Sequence, residues 1–415
     1  MYPTLYHAFY DMFGLDWQWA KLLNSFGFFV ALAFVVASYL LGSELKRKAR
    51  LRLFRPMQKT VEIGGKPSWP DILTSGLMGF IIGWKMVYLF LNGSELFSGG
   101  SNPQQEIFSS RGYWFLGIGM ALAFAAWRWW DYKKRQLPEP VMQDVQIFPH
   151  HITGNITFVT AIFGIIGAKL FHLLENPAEF REFFAHPSFN SFISGLTIYG
   201  GLIVGSAGTL LYAWRKGIKL WPLCDAAAPA MILGYGIGRI GCHVSGDGDW
   251  GIANAAPKPN WLSWMPDWIW AYDYPNNVNY DAAYQGHLGA LNDTFVRPIL
   301  DPTMPCFDGY CTYLSPPVYP TPFYETVLAT IIFLILWRLR KKITIPGVIF
   351  GLYLIFNGVE RFFIEKIRVN NKFDFFGITA TQAELIAVLF ILIGIAIVYL
   401  RWRKYRGVKE TPTAS

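Results

Sequence analysis

Four residues that can bind an anion or carry a proton lie close together near the end of one apolar stretch: Arg239, His243, Asp247 and Asp249. Arg239 and His243 are four positions apart and therefore share a helix face. The glycines around them allow a ligand or another backbone to approach closely. An arginine inside a membrane helix costs roughly 2.5–3.5 kcal/mol on insertion scales, which favours a functional role. A structural role, in which Arg239 pairs with Asp247, is the alternative.

A second charged group lies near the end of a later apolar stretch. Arg361 and Glu365 are also four positions apart, and Arg368 extends the same stripe. Lys366 and Arg368 could instead reach towards the membrane surface, whereas Arg361 and Glu365 indicate an internal pair. Two buried arginines without an obvious excess of buried acids predict an anionic ligand. In a membrane the commonest such ligand is a phospholipid phosphate, which suits the planar guanidinium group.

Two predicted helix starts carry further polar groups. Tyr199 precedes Gly200 and Gly201, whose backbone N–H groups stay approachable, as anion sites at helix N-termini require. Tyr199 could instead belong to the aromatic residues at the membrane surface. Glu325 follows Pro322, and a carboxylate at this position complements the helix dipole. All four motifs lie towards the same side of the predicted membrane.

The composition indicates what kind of fold positions these groups. Of 415 residues, 53% are hydrophobic and 15% are charged, against roughly 25% charged in soluble domains. Nine stretches come close to the roughly 20 apolar residues that a spanning helix needs. They are residues 24–43, 72–92, 112–130, 153–174, 195–214, 226–244, 322–337, 346–364 and 380–400. We therefore predict an all-α polytopic membrane protein with about nine transmembrane helices. Nucleic-acid binding is excluded, because the basic residues cluster between apolar runs instead of following a polar groove.

Basic clusters follow every second stretch, which predicts the orientation. Because lysine and arginine accumulate on the cytoplasmic side, the N-terminus is expected outside and the C-terminus in the cytoplasm. The expected parts are an outer segment 1–23, helices 1–6 in 24–244, an outer loop 245–321, helices 7–9 in 322–405 and a cytoplasmic tail 406–415.

The loop 245–321 is rich in tryptophan, proline and asparagine. Its indole rings could lie at the level of the lipid headgroups, or the loop could cap a lateral opening for lipid or peptide. Cys306 and Cys311 could form a small disulfide in an oxidising compartment, with two free thiols as the alternative.

One internal similarity links residues 81–85 with residues 165–169. Both read Ile-Ile-Gly-x-Lys, and an asparagine follows each at the same distance, Asn92 and Asn176. A duplicated helix is one interpretation. Chance is favoured, because glycine beside apolar residues is common in membrane helices.

Together the motifs resemble those of the bacterial prolipoprotein diacylglyceryl transferase family. The resemblance covers the first span and most of residues 150–405, in the family's order. It rests on Gly167-Ala-Lys169 through Asn176, Gly195 through Ile203, Cys224-Asp225 through Pro229, Gly238-Arg239 through Gly251, Tyr319 through Glu325, and Gly358 through Glu365. The two spans within 72–130 and the enlarged loop are unusual for the family.

Several residues depart from the family's pattern, which identifies the chain as a divergent member. Tyr199 stands where the family usually has histidine, and Cys242 and Ser245 stand where it has asparagine. Asp247 or Asp249 replaces a glutamate. Asn357 replaces a tyrosine.

The resemblance implies an enzyme of lipoprotein biosynthesis. It would transfer the diacylglyceryl group of phosphatidylglycerol to the lipobox cysteine of a prolipoprotein signal peptide and release glycerol phosphate. The expected location is the bacterial cytoplasmic (inner) membrane, with the active site towards the outer face. The expected partners are phosphatidylglycerol, prolipoprotein signal peptides and membrane lipids, without nucleic acid, for a monomer. No cofactor or metal is expected, because the seven histidines and four cysteines lack ligand-like spacing. A membrane transporter or lipid flippase is the alternative, since buried arginine and glutamate are also usual there.

The resemblance assigns two groups of site residues. Arg239, Arg361, His243 and Tyr199 are expected to be catalytic, with the two arginines stabilising charge on the departing phosphate. His243 is the hypothetical base, because the pKa of imidazole lies near neutrality and that of a phenol near about 10. Tyr199 as base, or no protein base at all, are the alternatives. The expected substrate-binding residues are Lys169, Gly200, Gly201, Cys242, Ser245, Gly246, Asp247, Asp249, Gly251, Tyr324, Glu325, Asn357, Glu365 and Arg368.

Overall fold

The structure, a computed structural model, describes most of the chain. The described residues are 1–63, 65, 67–92, 109–185, 195, 197–278, 297–300, 306–307, 310–369, 372–375 and 378–409. Part of the expected loop 245–321 and the last residues of the expected tail 406–415 therefore lie outside the described residues.

The described residues are mostly helical. The helices are α1 (Leu5–Phe13), α2 (Ser25–Arg50), α3 (Trp69–Leu91), α4 (Trp114–Arg135), α5 (Thr153–Glu175), α6 (Pro177–Ala185), α7 (Ile198–Arg215), α8 (Leu220–Ser245), α9 (Thr321–Leu339), α10 (Val348–Glu365) and α11 (Gln382–Lys409). A helix covers each of the nine predicted stretches. Six of these helices, α2, α3, α5, α8, α9 and α11, are long and apolar enough to cross a membrane.

Three antiparallel two-stranded ribbons accompany the helices. Their strands are β1 (Met57–Ile63) with β2 (Val141–Ile147), β3 (Arg297–Leu300) with β4 (Thr312–Ser315), and β5 (Lys372–Phe375) with β6 (Ile378–Thr381). Each ribbon lies between helices. Its two strands hydrogen-bond to each other through backbone N–H and C=O groups that a single extended strand would leave unpaired.

Five helices, α2, α8, α9, α10 and α11, pack successively against one another and form the central bundle. One buried apolar cluster lies between α2, α5 and α8, around Leu45, Ile156 and Ala226. Another lies between α8, α9 and α10, around Ile232 and Leu336. The bundle therefore aligns the ends of α8, α9 and α10.

Ion pairs join the bundle helices at the ends that carry the basic clusters. Glu44 of α2 is buried and binds Arg47 at 2.5 Å and also Arg340, which follows α9. Asp225 of α8 accepts backbone N–H groups of Gly347 at 2.8 Å and Phe350 at 2.9 Å, which fixes the start of α10. Arg47 and Arg340 belong to the basic clusters that predict the orientation. Because both pair with Glu44, they also stabilise the packing of the bundle.

Two helical hairpins in the chain have the same order and spacing of elements. The first consists of β1, α3 and α4, and the second of β2, α5 and α7. Each element of the second hairpin begins 84 residues after its counterpart, as in Trp69 and Thr153 or in Trp114 and Ile198. The first hairpin contains the two spans that are unusual for the family.

The contacts inside the two hairpins also correspond. The Tyr113 N–H donates to the carbonyl of Trp84 at 2.9 Å, and 84 positions later the Thr197 N–H donates to that of Ala168 at 3.1 Å. Each hairpin closes on a glycine, Gly83 or Gly167, at which a Cβ would lie within 2.6 Å of backbone oxygen on the opposite helix. The interpretation of the internal similarity as chance is therefore wrong, and the hairpin is repeated.

The described part of segment 245–321 is folded. Trp250, Tyr274, Leu314 and Val318 form a small buried cluster within it. Trp261 and Trp264 are exposed, as expected of indoles at a lipid surface. The sulfurs of Cys306 and Cys311 are joined in a disulfide.

Candidate active site

The site is built around one fully buried carboxylate, that of Glu325 in the second turn of α9. Its exposed fraction is 0%, and three guanidinium groups surround it. Arg239 of α8 approaches at 2.9 Å, Arg361 of α10 at 3.1 Å and Arg368 at 3.3 Å. The two arginine motifs therefore converge, as predicted from the sequence, and their meeting point is a glutamate.

Two further carboxylates complete this cluster. Asp249 forms ion pairs with both Arg239 and Arg368, and Glu365 pairs with Arg361 at 3.0 Å. Three arginines thus meet three acids. The sequence predicts two arginines without an excess of buried acids; in the structure Asp249, Glu325 and Glu365 match the charge of the three arginines without exceeding it.

The chain segments beside the helix ends hold the cluster in place. Gly251 forms an antiparallel bridge with Arg368, and the Ile252 N–H donates to the Ile367 carbonyl at 2.9 Å. A Cβ at Gly251 would lie 2.5 Å from that same carbonyl oxygen, so only glycine fits. Thr321 donates to the Asp249 carbonyl at 3.0 Å. The segments after α8, after α10 and before α9 are thereby fixed to one another.

Asp247 and Asp249 have different roles. The structural interpretation in which Arg239 pairs with Asp247 is wrong, because Arg239 pairs with Asp249. Burial and the neighbouring charge of Asp249 raise the pKa of Asp247. Burial would also raise the pKa of Asp249, but Arg239 and Arg368 outweigh burial and lower it. Asp249 is therefore the ionised partner of the arginines.

Three neighbouring predicted residues line the end of α8. Cys242 is buried, with its sulfur 3.6 Å from Arg239 and 3.7 Å from Asp249. Ser245 is buried and donates to the Gly241 carbonyl at 2.9 Å. Gly246 ends the helix with a φ of +64°, a conformation that glycine adopts readily.

His243 lies outside the arginine cluster. Its Nδ1 is 3.1 Å from the Tyr274 hydroxyl. Four aromatic rings surround the imidazole at centroid distances of 5.6–5.8 Å, those of Trp268, Tyr272, Tyr274 and Phe323. His243 is therefore held in an aromatic pocket at the side of the cluster.

Tyr199, Gly200 and Lys169 belong to the second hairpin. Tyr199 is half-buried, and its hydroxyl forms no hydrogen bond with any described residue. Gly200 packs so tightly on α5 that a Cβ would lie 2.3 Å from the Gly167 carbonyl oxygen, and Gly201 packs beside Gly164. Lys169 is buried, 5.3 Å from the ring of Phe183. The glycine pair thus has a packing role in the hairpin.

The remaining predicted residues lie beside the cluster. The Tyr324 hydroxyl donates to the Ile269 carbonyl at 2.5 Å, which ties α9 to segment 245–321. Asn357 is half-buried one turn before Arg361 on α10.

Among the described residues, one group has the spacing of a metal site: the side chains of Cys242, Asp247 and Asp249, whose ligand atoms lie within 4.8 Å of one another. Arg239 and Arg368 already bind the Asp249 carboxylate. Two guanidinium groups at this position oppose the binding of a cation.

Sequence reasoning missed two groups beside the arginines, the partly buried Tyr235 and the buried Glu360. The Tyr235 ring lies 5.3 Å from the guanidinium carbon of Arg239, and Glu360 directly precedes Arg361 and is 5% exposed. The signal for Glu360 was present, since it is an ionisable residue within an apolar stretch.

Comparison with known proteins gives consistent results. A family model described as prolipoprotein diacylglyceryl transferase matches residues 113–400. The chain is 30% identical over 254 residues to the phosphatidylglycerol–prolipoprotein diacylglyceryl transferase of Staphylococcus saprophyticus, which covers 60% of this chain and 74% of that protein. The protein of the same name from Staphylococcus xylosus is 30% identical over 261 residues, 61% of this chain and 75% of that protein. That of Leifsonia xyli is 26% identical over 259 residues, 60% and 65% of the two chains. Most of the first hairpin precedes the matched residues.

Proposed function

Since the chain belongs to the prolipoprotein diacylglyceryl transferase family, we propose that it transfers the diacylglyceryl group of phosphatidylglycerol to the lipobox cysteine of prolipoproteins and releases glycerol phosphate. The observation that carries this proposal is the convergence of Arg239, Arg361 and Arg368 on Glu325. Such an array suits a phosphate that gains negative charge as it leaves.

The reaction forms a bond between the cysteine sulfur and the terminal glyceryl carbon of the lipid, and breaks the bond from that carbon to the phosphate oxygen. The thiol proton is lost, and the electron pair of the broken bond stays on the phosphate. Arg361 is the arginine best placed to receive the headgroup, because its side chain is 23% exposed against 9% for Arg239 and 10% for Arg368. Glu325 holds the three cations together until the phosphate binds.

His243 serves as the base in this proposal. In the tautomer whose Nδ1–H donates to the Tyr274 hydroxyl, Nε2 carries the lone pair that takes the thiol proton. The aromatic rings around the imidazole offer an apolar surface for the lipobox segment. The second hairpin carries the remaining proposed site residues. Tyr199 is the proposed catalytic residue there, and the proposed substrate-binding residues are Lys169, Gly200 and Gly201.

The proposed orientation places the site in the outer half of the bacterial cytoplasmic membrane, with nine spans, an outer N-terminus and a cytoplasmic C-terminus. Supporting it, the arginine cluster lies at the end of α8, the start of α9 and the end of α10, which is one side of the bundle. The basic residues Arg47 and Arg340 lie at the opposite ends of their helices. The described part of segment 245–321 then caps the site on the outer side, and the protein acts as a monomer.

Lipidation of a lipobox peptide by the purified protein in phosphatidylglycerol micelles tests this function. A peptide that gains the diacylglyceryl mass on its cysteine, with release of glycerol phosphate, supports the proposal. A peptide whose cysteine is replaced by serine is the matched control and should stay unmodified. Movement of lipid between leaflets without peptide modification would favour the transporter or flippase alternative.

A further inference from the structure

Beside the arginine cluster lies a group of buried polar atoms without partners. They are the hydroxyl of Tyr235 and both carboxylate oxygens of Glu360, none of which has a hydrogen-bond partner among the described residues. Glu360 is 5% exposed. Its own helix neighbour Arg361 pairs with Glu325 and Glu365 instead.

These atoms lie next to the proposed phosphate site. Tyr235 precedes Arg239 by one turn of α8, and its ring lies 5.3 Å from the guanidinium carbon. Glu360 of α10 interacts electrostatically with Glu325, Arg361 and Arg239. The Tyr235 hydroxyl of α8 lies close to the Glu360 carboxylate, but the two groups do not form a hydrogen bond of accepted geometry. The unpartnered atoms therefore adjoin both arginines expected to hold the phosphate.

Burial without partners is costly. A polar group removed from water without a compensating hydrogen bond costs roughly 1–3 kcal/mol in proteins, and native proteins leave few such groups. Those that remain commonly mark a function or a bound molecule. Three such atoms next to a phosphate site therefore indicate a ligand group that binds beside the phosphate.

Building on the proposed function, we propose that Tyr235 and Glu360 form a hydroxyl-binding subsite that recognises the glycerol headgroup of the lipid. A hydroxyl both donates and accepts, so it can donate to the Glu360 carboxylate and accept from the Tyr235 phenol. The glycerol of the headgroup carries two hydroxyls directly beyond the phosphate. Binding them satisfies the three orphaned atoms, and the subsite discriminates this headgroup from phospholipids without hydroxyls.

The closing experiment compares two lipids with identical acyl chains and phosphate. Phosphatidylglycerol has two headgroup hydroxyls, and phosphatidylpropanol has none. The wild-type protein should use phosphatidylglycerol at least about 10-fold better in kcat/KM, because a site that hydrogen-bonds a hydroxyl rejects the analogue lacking it. Glu360→Gln and Tyr235→Phe should each lower the rate with phosphatidylglycerol and reduce this preference to below about 3-fold.

Tyr353→Phe is the matched control, because Tyr353 is a buried tyrosine on the same helix as Glu360, two turns before it. It should retain the full preference. If both variants slow the two lipids equally, the pair has only a structural role and the inference is wrong. A wild-type protein that uses both lipids equally well also overturns it while leaving the proposed function intact. Transfer from neither lipid overturns the proposed function itself.

For variants whose turnover is too slow to measure, lipid binding can be measured in the absence of peptide. Phosphatidylglycerol should raise the unfolding midpoint of the wild-type protein in detergent more than phosphatidylpropanol does. The Glu360→Gln protein should respond equally to the two lipids. A Glu360→Gln protein that still responds more strongly to phosphatidylglycerol would exclude the subsite.

Discussion

The Nε of Arg239 lies 2.9 Å from Oε2 of Glu325, a carboxylate without any solvent exposure. This pair joins the end of α8 to the start of α9. Arg361 and Arg368 bind the other oxygen of the same carboxylate, so one glutamate fixes cations from two distant parts of the chain. Glu325 therefore controls both the packing of three helix ends and the position of the charges.

Replacing Glu325 with glutamine should destabilise the protein and abolish transfer. The amide keeps the size of the side chain but leaves three guanidinium groups without their central, fully buried counter-charge, and breaking a buried ion pair costs about 3–5 kcal/mol. The unfolding midpoint in detergent should fall, and kcat/KM should drop at least about 100-fold. Glu179→Gln is the control, because Glu179 forms an exposed pair with His172 and should matter little. Equal midpoints for the two variants would contradict the central role of Glu325.

Arg361→Lys tests whether phosphate binding requires the paired N–H donors of the guanidinium group. Lysine keeps the charge but cannot form the two parallel hydrogen bonds to a phosphate. We expect kcat/KM for phosphatidylglycerol to fall about 100-fold, or ~2.7 kcal/mol of transition-state stabilisation. Arg401→Lys is the matched control, since Arg401 donates to the Pro346 carbonyl far from the cluster, and its loss should stay below about 3-fold. Comparable losses in both proteins would argue against phosphate binding by Arg361.

The helices of the nine apolar stretches could be predicted from the sequence because hydropathy determines where they lie, whereas the short helices α1 and α6 lie outside those stretches. All nine apolar stretches are helical, with differences only at their ends, such as α8 beginning at Leu220 instead of residue 226. The short ribbons could not be predicted. Their stability depends on a strand from elsewhere in the chain, as in the pairing of Met57 with Ile147.

The arginines and carboxylates of the cluster could be named from the sequence, but their contacts could not. The spacing of Arg361 and Glu365 correctly indicates their ion pair, since both lie on one helix. Spacing cannot reveal that Asp249 rather than Asp247 binds Arg239, because both follow the helix end and the choice depends on how the loop packs. The central role of Glu325 cannot be predicted from residue spacing either, because it depends on partners from α8 and α10.

His243→Gln should lower the rate of transfer about 100-fold, the lower end of what a general base contributes. Glutamine fits the aromatic pocket but cannot take a proton near neutral pH. Tyr274→Phe removes the hydrogen bond to Nδ1 and should cost less, about 10-fold, because it only orients the ring. Tyr199→Phe is measured alongside. Undiminished transfer by His243→Gln would remove His243 from the mechanism, and a full rate for Tyr199→Phe would reduce that residue to a packing role.

Asp247 should make the stability depend on pH. Burial and the charge of Asp249 raise its pKa in the folded state, so the folded protein binds more protons than the unfolded chain between about pH 4, the unfolded value, and the raised folded value. Stability from this group is present below that window and is lost as the pH rises through it. Asp247→Asn should therefore show a smaller fall in unfolding midpoint between acidic and neutral pH than the wild type.

Asp249 should act in the opposite sense, which provides an internal control. Arg239 and Arg368 lower its pKa, so its contribution is present above about pH 4 and is lost as the pH falls through the lowered value. Asp249→Asn should therefore lower the midpoint at neutral pH. An Asp247→Asn protein with the same pH profile as the wild type would show that Asp247 is ionised throughout.

Removing the first hairpin should leave transfer intact. Deletion of residues 57–140 takes out one complete 84-residue repeat, and β2 then follows α2 in the position of β1. Two helices are lost, so every later helix keeps its orientation across the membrane. The arginine cluster contains no residue of this hairpin, and Phe115 and Leu116 occupy the places that correspond to Tyr199 and Gly200. We expect a rate within about 3-fold of the wild type, because a hairpin with these residues cannot supply the tyrosine and glycine of the proposed site.

Deletion of residues 135–218 is the matched control, because it has the same length, also removes two long helices (with the short α6 between them) and retains the first hairpin in place of the second. It removes Tyr199 and Lys169 together with the α5–α7 contact. This protein should insert into the membrane and fail to modify a lipobox peptide. Loss of transfer in the 57–140 deletion, at membrane levels equal to the wild type, would show that the first hairpin has a role in the reaction that the repeat relationship does not account for.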